Sequence, residues 1–595
     1  MAVGRRRVLA ASAAALAATG WRPAGAVAPG SAHAVGSAPP GLPDGVEVYQ
    51  RAYRNWSGEI RADALWTCAP RGPEEVRALA DWAVEHGWRL RMQGFRHTWA
   101  PLTVADGAPA PGRVLLLDTR RHLTGLRLVG PDAVRVGAGN SMEELLDFLG
   151  RRGLGVTACP APGALTVGGA LAVGGHGTAV PAAGEVRAPG HGYGSLSNQV
   201  VSLTAVVWDR RARGGRGGHV LREFHRSEAG TAALLAHLGR AAVVDVVLRV
   251  GADETLRCVS RLDIPATRLF APDAGSGRTF AGLLDADGRV EAIWFAFTSH
   301  PWVKVWSRSP RRPLGSRRVD EPYNYPFSDR VPDPVARLAA ELVAGRPELA
   351  PLFGRLQFLI AKVALTGDVS DVLLSGGLLR ELLTGELLEH LLAGGLRSDL
   401  WGPSRFLLHY VRPSTLRVTT NGYAVLVRRA DVQWALSRFH QHYERLLTHY
   451  RERGAYPVNG AVEVRASGLD VPAWCEVPGA RAPSLSPLTP DRRHPEWDTA
   501  LWLNVLSLPG TPTLPAFYRD LERALLGTFD GTRAGLRVEW SKSWAHTEDA
   551  AWADPDVLGR VVPASLPAWS GAVDALDHHD PHGVFGTPLL DELLR

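Results

Sequence analysis

The chain has 595 residues, 45% hydrophobic and 21% charged, which describes a folded polypeptide of at least two compact units and excludes a disordered or fibrous one. The formal charge of +6 rests almost entirely on arginine, and no dense Lys/Arg block is interleaved with aromatics, so no nucleic-acid partner is expected. Cys68, Cys159, Cys258 and Cys475 stand far apart with no histidine at ligand spacing, so no metal site is expected.

The leader "GRRRVLAASAAALAATG" places consecutive arginines before a small, weakly apolar run, followed by "AVA" and "AHA" as cleavage-like triplets. This pattern predicts a Tat-type signal peptide over residues 1–34 and a secreted protein, free or held at the cell wall or membrane surface. The apolar run is too short to be a transmembrane segment. Tat export carries proteins already folded, which suits an enzyme that loads its cofactor before leaving the cytoplasm.

Past the leader, "EEVRALADWAVEHG" spaces Val76, Leu79, Ala80 and Ala83 along one helical face and stops at Gly87. Strand patterns follow at "WRLRMQG", "RVLLLD" and "AVRVGAG", and the helix "SMEELLDFLGRRG" opens with a capping box from Ser141 to Glu144. "PGALTVGGALAVGGHGTAVP" clusters glycines that allow a backbone to approach a bulky ligand and point N–H groups at an anion. The GxGxxG dinucleotide fingerprint is missing, and a purely structural glycine loop is the competing reading. "GSLSNQVVSLTAVVWD" and "AAVVDVVLRV" are strand-like, and the polarity changes near Gly251, where a domain boundary is predicted. Beyond it come the extended run "GRVEAIWFAF", a Pro/Arg-rich loop from Ser309 to Pro334, amphipathic helices from Pro334 to about Arg453, and then further strands.

Several residues carry chemistry. In "RMQGFRHTWAPLTV", His97 follows Gly94 by three residues and can be a packed side chain, a ligand or an attachment point. Strand alternation in "GAVEVRAS" puts Glu463 and Arg465 on one face, while the face of Glu291 also carries Ile293, Phe295 and Phe297. Such apolar company raises a carboxyl pKa and suits proton transfer. Lys542 is one of only three lysines, with Lys304 and Lys362, and a compact ammonium suits a site where negative charge develops.

The order of "WTCAPRGPEEV", "GFRHTWAPLTV", "TVGGALAVGGHGTAVP" and "GSLSNQVVSLTAVVWD" resembles the PCMH-type FAD-binding domain of the vanillyl-alcohol oxidase superfamily. The later strings "VEAIWFAFTSHPWVKVW", "YNYPFSD", "PVNGAVEVRASGLD", "ALWLNV" and "WSKSWAHT" resemble the substrate domain of the type II, covalent-flavin cholesterol oxidases. The resemblance implies an α+β, two-domain fold. Residues 40–255 would form the FAD-binding domain, 256–560 the substrate-binding domain, and 561–595 a segment returning to the first.

By resemblance, FAD is bonded covalently to His97, with Gly94, Gly168, Gly169, Gly174, Gly175, Thr178 and Lys542 around it. Glu291, Glu463, Arg465, Asn504 and Lys542 would serve catalysis, with Glu463 a candidate base, Arg465 holding it and Asn504 near the reacting centre. The implied reaction oxidises a 3β-hydroxysteroid to the ketone, shifts its double bond from Δ5 to Δ4 and passes electrons to O2, giving H2O2. The sterol would come from membrane or lipid. The rival readings are a superfamily oxidase of a sugar lactone or polyol, which an apolar pocket around Phe295 and Phe297 argues against, and a non-catalytic flavin- or sterol-binding homologue.

Overall fold

A computed structural model describes residues 38–106, 113–273, 278–329, 333–383, 386–393 and 395–595; the predicted signal segment lies outside them. The first sheet holds β1 (Val48–Arg54), β2 (Arg61–Cys68), β3 (Arg89–Gln93) and β4 (Val114–Asp118) in the order β1-β2-β4-β3. Strands β2, β4 and β3 run parallel, which requires a crossover, and the helix Pro73–His86 supplies it. That helix starts with proline in its first turn and two glutamates beside it, and ends on Gly87 in the left-handed region. Its apolar stripe, Val76, Leu79, Ala80 and Ala83, shares a core with Leu90, Leu115 and Leu117 of the sheet.

The second sheet holds β5 (Leu126–Gly130), β6 (Ala133–Gly137), β8 (Val200–Asp209), β9 (Gly218–His225) and β10 (Ala242–Arg249) in the antiparallel order β5-β6-β10-β8-β9. A separate short antiparallel pair, β7 (Leu154–Gly155) with β11 (Gly251–Ala252), accompanies it. The predicted capping box is present: Glu144 N donates to Ser141 Oγ at 3.1 Å, and Ser141 N donates to Glu144 Oε2 at 2.7 Å. The chain's last residues pack against this half. Leu90 N donates to Val584 O at 2.9 Å, Val584 and Phe585 join the core of the first sheet, and buried Asp580 accepts from Val584 N and Phe585 N while pairing with Arg240.

The remaining strands are β12 (Thr255–Arg261), β13 (Arg289–Phe295), β14 (Trp302–Arg308), β15 (Arg317–Arg318), β16 (Asp399–Pro403), β17 (Thr419–Thr420), β18 (Tyr423–Val427), β19 (Ala461–Gly468), β20 (Thr499–Ser507) and β21 (Gly535–Val538). They form one sheet in the order β15-β16-β12-β14-β13-β19-β20-β18-β21, with β17 on β20; every pairing except β15 with β16 is antiparallel. One face packs on helices, as where Trp294 meets Tyr443 of the helix Val432–Glu452 with ring centroids 5.3 Å apart. Residues of opposite parity face inward to a cavity. At its far end lies the helix Ala350–Thr366, brought close because a Cβ on Gly354 would stand 1.9 Å from Ala296 O. The stretch Pro347–Thr366 is, among the described residues, the one helical segment long and apolar enough to cross a membrane; 56% of its most apolar 18 residues are buried in the fold, and Phe353 and Leu356 are fully enclosed.

Two expectations from the sequence are corrected here. The stretch from Pro334 to Arg453 is not purely helical: β16, β17 and β18 interrupt it. The run "YAVLV" of β18 is buried at all five positions, and a short uninterrupted apolar run carries no period to separate strand from helix. The stretch expected as a Pro/Arg-rich loop contains β15 and the short helix Pro326–Asp329.

Candidate active site

A cavity of about 470 Å³ lies between the glycine-rich segment and the third sheet. Gly94, Gly168, Gly169, Gly174 and Gly175 all line it. A Cβ on Gly94 would stand 2.3 Å from Thr166 Oγ1, and Gly174 has a φ of +66°, so both positions exclude ordinary side chains. The wall there is bare backbone, the surface a planar cofactor and its phosphates need, and the residues fit FAD. Thr178 does not line the cavity; it is half-buried, and its neighbour Ala179 bridges to Ser467. The predicted contact for Thr178 is therefore not seen.

His97 sits on the same wall. The turn that delivers it is held on several sides. Arg96 adopts a left-handed φ of 62°, its carbonyl accepts from Trp56 N at 2.8 Å, Asn55 Nδ2 donates to Thr98 O at 3.1 Å, and Trp99 N donates to Ser541 O at 2.8 Å. The imidazole stacks on Trp56 at 5.0 Å and meets the edge of Trp99 at 5.6 Å. Burial, helped by the charge of Lys542, pushes its pKa down to about 3. The ring is therefore neutral near pH 7, the form with a lone pair available for bonding to carbon. Lys542 Nζ lies 3.6 Å from the centroid of Trp99, and burial lowers its pKa against the opposing pull of Glu539.

The carboxylates come from the sheet, and its register brings them together. Glu291 on β13 pairs with Lys304 on β14 and with Arg465 on β19, and Arg465 pairs with Trp502 on β20. A second row runs Ile293, Glu463, Asn504. Glu291 accepts from Tyr410 Oη at 2.9 Å and lies 3.2 Å from Lys304 Nζ. Arg465 lies 3.4 Å from Glu463 and donates to Asn504 Oδ1 at 2.9 Å. Asn504 Nδ2 in turn donates to Glu539 Oε2 at 2.7 Å. Glu539 lies 3.5 Å from His176 Nε2, and the His176 ring stacks on Trp502 at 3.4 Å.

The electrostatics follow from this arrangement. Burial alone would raise the Glu539 carboxyl, but Lys542, His176 and Arg465 outweigh it and hold it at about 2. Arg465 is opposed by burial yet pushed above its ordinary range by Glu463, Glu291, Tyr410 and Glu539, so it stays charged. Burial raises the Tyr410 phenol well above its ordinary range, leaving it a hydrogen-bond donor.

Glu291, Glu463, Arg465 and Lys542 thus share one cavity with His97. Three readings need correction. Glu291 is not in purely apolar company, because its cross-strand neighbours are Lys304 and Arg465. Phe297 is not on its face: β13 ends at Phe295, and Phe297 turns into the left-handed region to pack on Tyr456. Asn504 is fully buried behind the wall and reaches the cavity only through Arg465 and Glu539. Sequence reasoning missed Glu539, His176, Lys304 and Tyr410. Lys304 alone had a signal, as one of three lysines in an arginine-rich chain.

Comparison with known proteins gives this cavity a context. The family model described as "Cholesterol oxidase, substrate-binding" matches residues 255–376 and 378–595, and the one described as "FAD binding domain" matches residues 65–209. The chain belongs to the cholesterol oxidase family. Its two matched regions are a FAD-binding domain and a cholesterol-oxidase-type substrate-binding domain, on the PCMH-type α+β fold. It is 45% identical to a solvent-stable cholesterol oxidase of known structure, with a TM-score of 0.86 over 94% of this chain and 100% of that one. A cholesterol oxidase from B. sterolicum is 38% identical, with the same TM-score and coverage. The chain spans less than half the length of the curated lactone oxidases it matches. D-arabinono-1,4-lactone oxidase of Eremothecium gossypii is 28% identical over 43% of this chain and 40% of its own length. The substrate-binding match runs to residue 595, so it takes in the segment that packs back on the first sheet.

Proposed function

We propose that the protein oxidises the 3β-hydroxyl of cholesterol or a related sterol to the ketone, moves the ring double bond from Δ5 to Δ4, and reduces O2 to H2O2. The observation that carries this reading is that one cavity joins His97, the row Lys304–Glu291–Arg465, and an apolar wall of Ile293, Phe295, Phe327, Ile360 and Leu416. A sterol offers one polar end and a rigid hydrocarbon body, which this wall matches and a sugar lactone does not.

The bound flavin supplies a hydride acceptor, and His97, neutral and held on its turn, is the residue we assign to its covalent attachment. The chain's own groups manage protons and charge. Glu291 takes the hydroxyl proton as the carbon gives up its hydride. In the second reaction a cavity carboxylate, Glu291 or Glu463, removes a proton from C4 and returns it at C6, with no net change in electrons. Arg465 ties Glu463 to Asn504 and Glu539, which sets where that carboxylate can reach. Lys542, drawn to Glu539, stands on the cofactor wall, where an ammonium would stabilise the negative charge that reduction adds. The two electrons and two protons removed from the alcohol are those that O2 needs to become H2O2.

The leader supports export in folded, cofactor-loaded form by the Tat route, and we propose that the secreted oxidase draws its sterol from membrane or lipid. The test is peroxide release by purified protein given cholesterol, an aldonolactone or a polyol. Peroxide from cholesterol, with a ketone that absorbs as a conjugated enone, is the expected result. Peroxide from the lactone alone would replace the sterol reading, and none from any substrate would make the protein a binding homologue.

A further inference from the structure

Lys304 is a buried ammonium on the cavity wall, its side chain 1% exposed. Four aromatic rings surround it, with Nζ 3.6 Å from the centroid of Tyr410, 4.4 Å from Trp302, 4.8 Å from Tyr325 and 5.8 Å from Trp306. Ring faces attract a cation, and the compact ammonium of Lys304 sits among all four. An arginine-rich chain keeps lysine here for a physical reason. The cage holds the charge at one point, and the carboxylate it meets is Glu291, at 3.2 Å.

We propose that Lys304 is the positioning residue of Glu291. The two oxygens of that carboxylate have different partners: Tyr410 Oη donates to Oε1, and Lys304 faces Oε2. On the other flank, directly opposite Glu291 in register, stands Arg465, already engaged by Glu463 and Asn504. Glu291 therefore lies between two cations on neighbouring strands. Lys304, caged in place, holds the Oε2 side of the carboxylate by ion pairing, and Oε2, which has no hydrogen-bond partner among the described residues, is left to accept from a hydroxyl in the cavity. Without that ammonium the nearest charge is Arg465, and the carboxylate swings toward it, away from its working position and into the Glu463 network. A displacement of about 1 Å in a reacting group is enough to cost on the order of 10²-fold in rate. Lys304 acts through Glu291 and need not touch substrate; the inference rests on Glu291 being the proton acceptor.

Lys304→Met, Lys304→Arg, Glu291→Gln and the double variant Glu291→Gln/Lys304→Met are compared with the wild-type holoenzyme for kcat, KM and flavin absorbance. Turnover of cholesterol by the wild type is measured first, and its absence would overturn the proposed function rather than this inference. The expected result is a fall in kcat of about 10²-fold for Lys304→Met, KM within threefold, the flavin band retained and partial recovery in Lys304→Arg. The double variant is expected to be no slower than Glu291→Gln alone, because the lysine has nothing left to position. A structural role would instead give additive losses. Should Lys304→Met fail to fold, the double variant, with neither charge left unpaired, still permits the comparison with Glu291→Gln. The proposal is overturned by a Lys304→Met enzyme within threefold of wild type, or by a double variant at least tenfold slower than Glu291→Gln.

Discussion

Glu291→Gln is expected to lower kcat for cholesterol by about 10²–10⁴-fold, the usual worth of a well-placed general base, with little change in KM. Glutamine keeps the shape and can still accept from Tyr410, but it is neutral and cannot take the hydroxyl proton. The loss should appear equally with a saturated 3β-hydroxysteroid, because the oxidation step alone needs that proton removed. The substitution also leaves the Lys304 ammonium buried without its carboxylate. Breaking a buried pair from one side costs about 3 kcal/mol, so the melting temperature should fall, with the aromatic cage offsetting part of the loss. Glu463→Gln is the comparison that decides the assignment. Glu463 is more open and is tied to Arg465, and a larger loss of oxidation there than at Glu291 would transfer the role of base to it.

His97→Ala is expected to move the yellow colour of the acid-precipitated protein from the pellet to the supernatant, while the wild type keeps it in the pellet. The reasoning is local. His97 is neutral near pH 7, clamped between Trp56 and Trp99, and delivered by a turn whose strained Arg96 is held by neighbouring backbone. Alanine removes the bonding nitrogen but leaves the glycine-lined wall, so flavin still binds the native protein without a covalent bond. Colour in the supernatant for wild type and variant alike would refute the linkage and leave the cofactor site standing. A flavin-free variant would show that the bond is also needed for binding.

The legible parts of this molecule were those governed by local rules. The helix after β2 has its stripe, its acidic first turn and its terminal glycine in consecutive sequence, and the capping box at Ser141 is a four-residue pattern. Alternation along β19 put Glu463 and Arg465 on one side because that depends on a single strand. The rest of the site depends on register between strands distant in sequence. Nothing in "VKVW" says that Lys304 stands opposite Glu291, or in "VEWSK" that Glu539 meets Asn504 and His176. Phe297 shows the same limit from the other side: alternation continues on paper, whereas the chain leaves the sheet after Phe295 and turns through a positive φ. Thr178, placed beside the cofactor by the resemblance, stands outside the cavity lining, and the next residue, Ala179, bridges to Ser467. The motif resemblance reached further than periodicity because it carries the pairing that a single strand cannot.

The central claim is that a sterol hydroxyl and a flavin meet in one cavity. Anaerobic mixing of the purified protein with cholesterol tests it most directly. Without oxygen, the account predicts that the yellow absorption band bleaches in a single turnover and returns on admitting air. A band that stays unbleached by cholesterol but is bleached by an aldonolactone would contradict it.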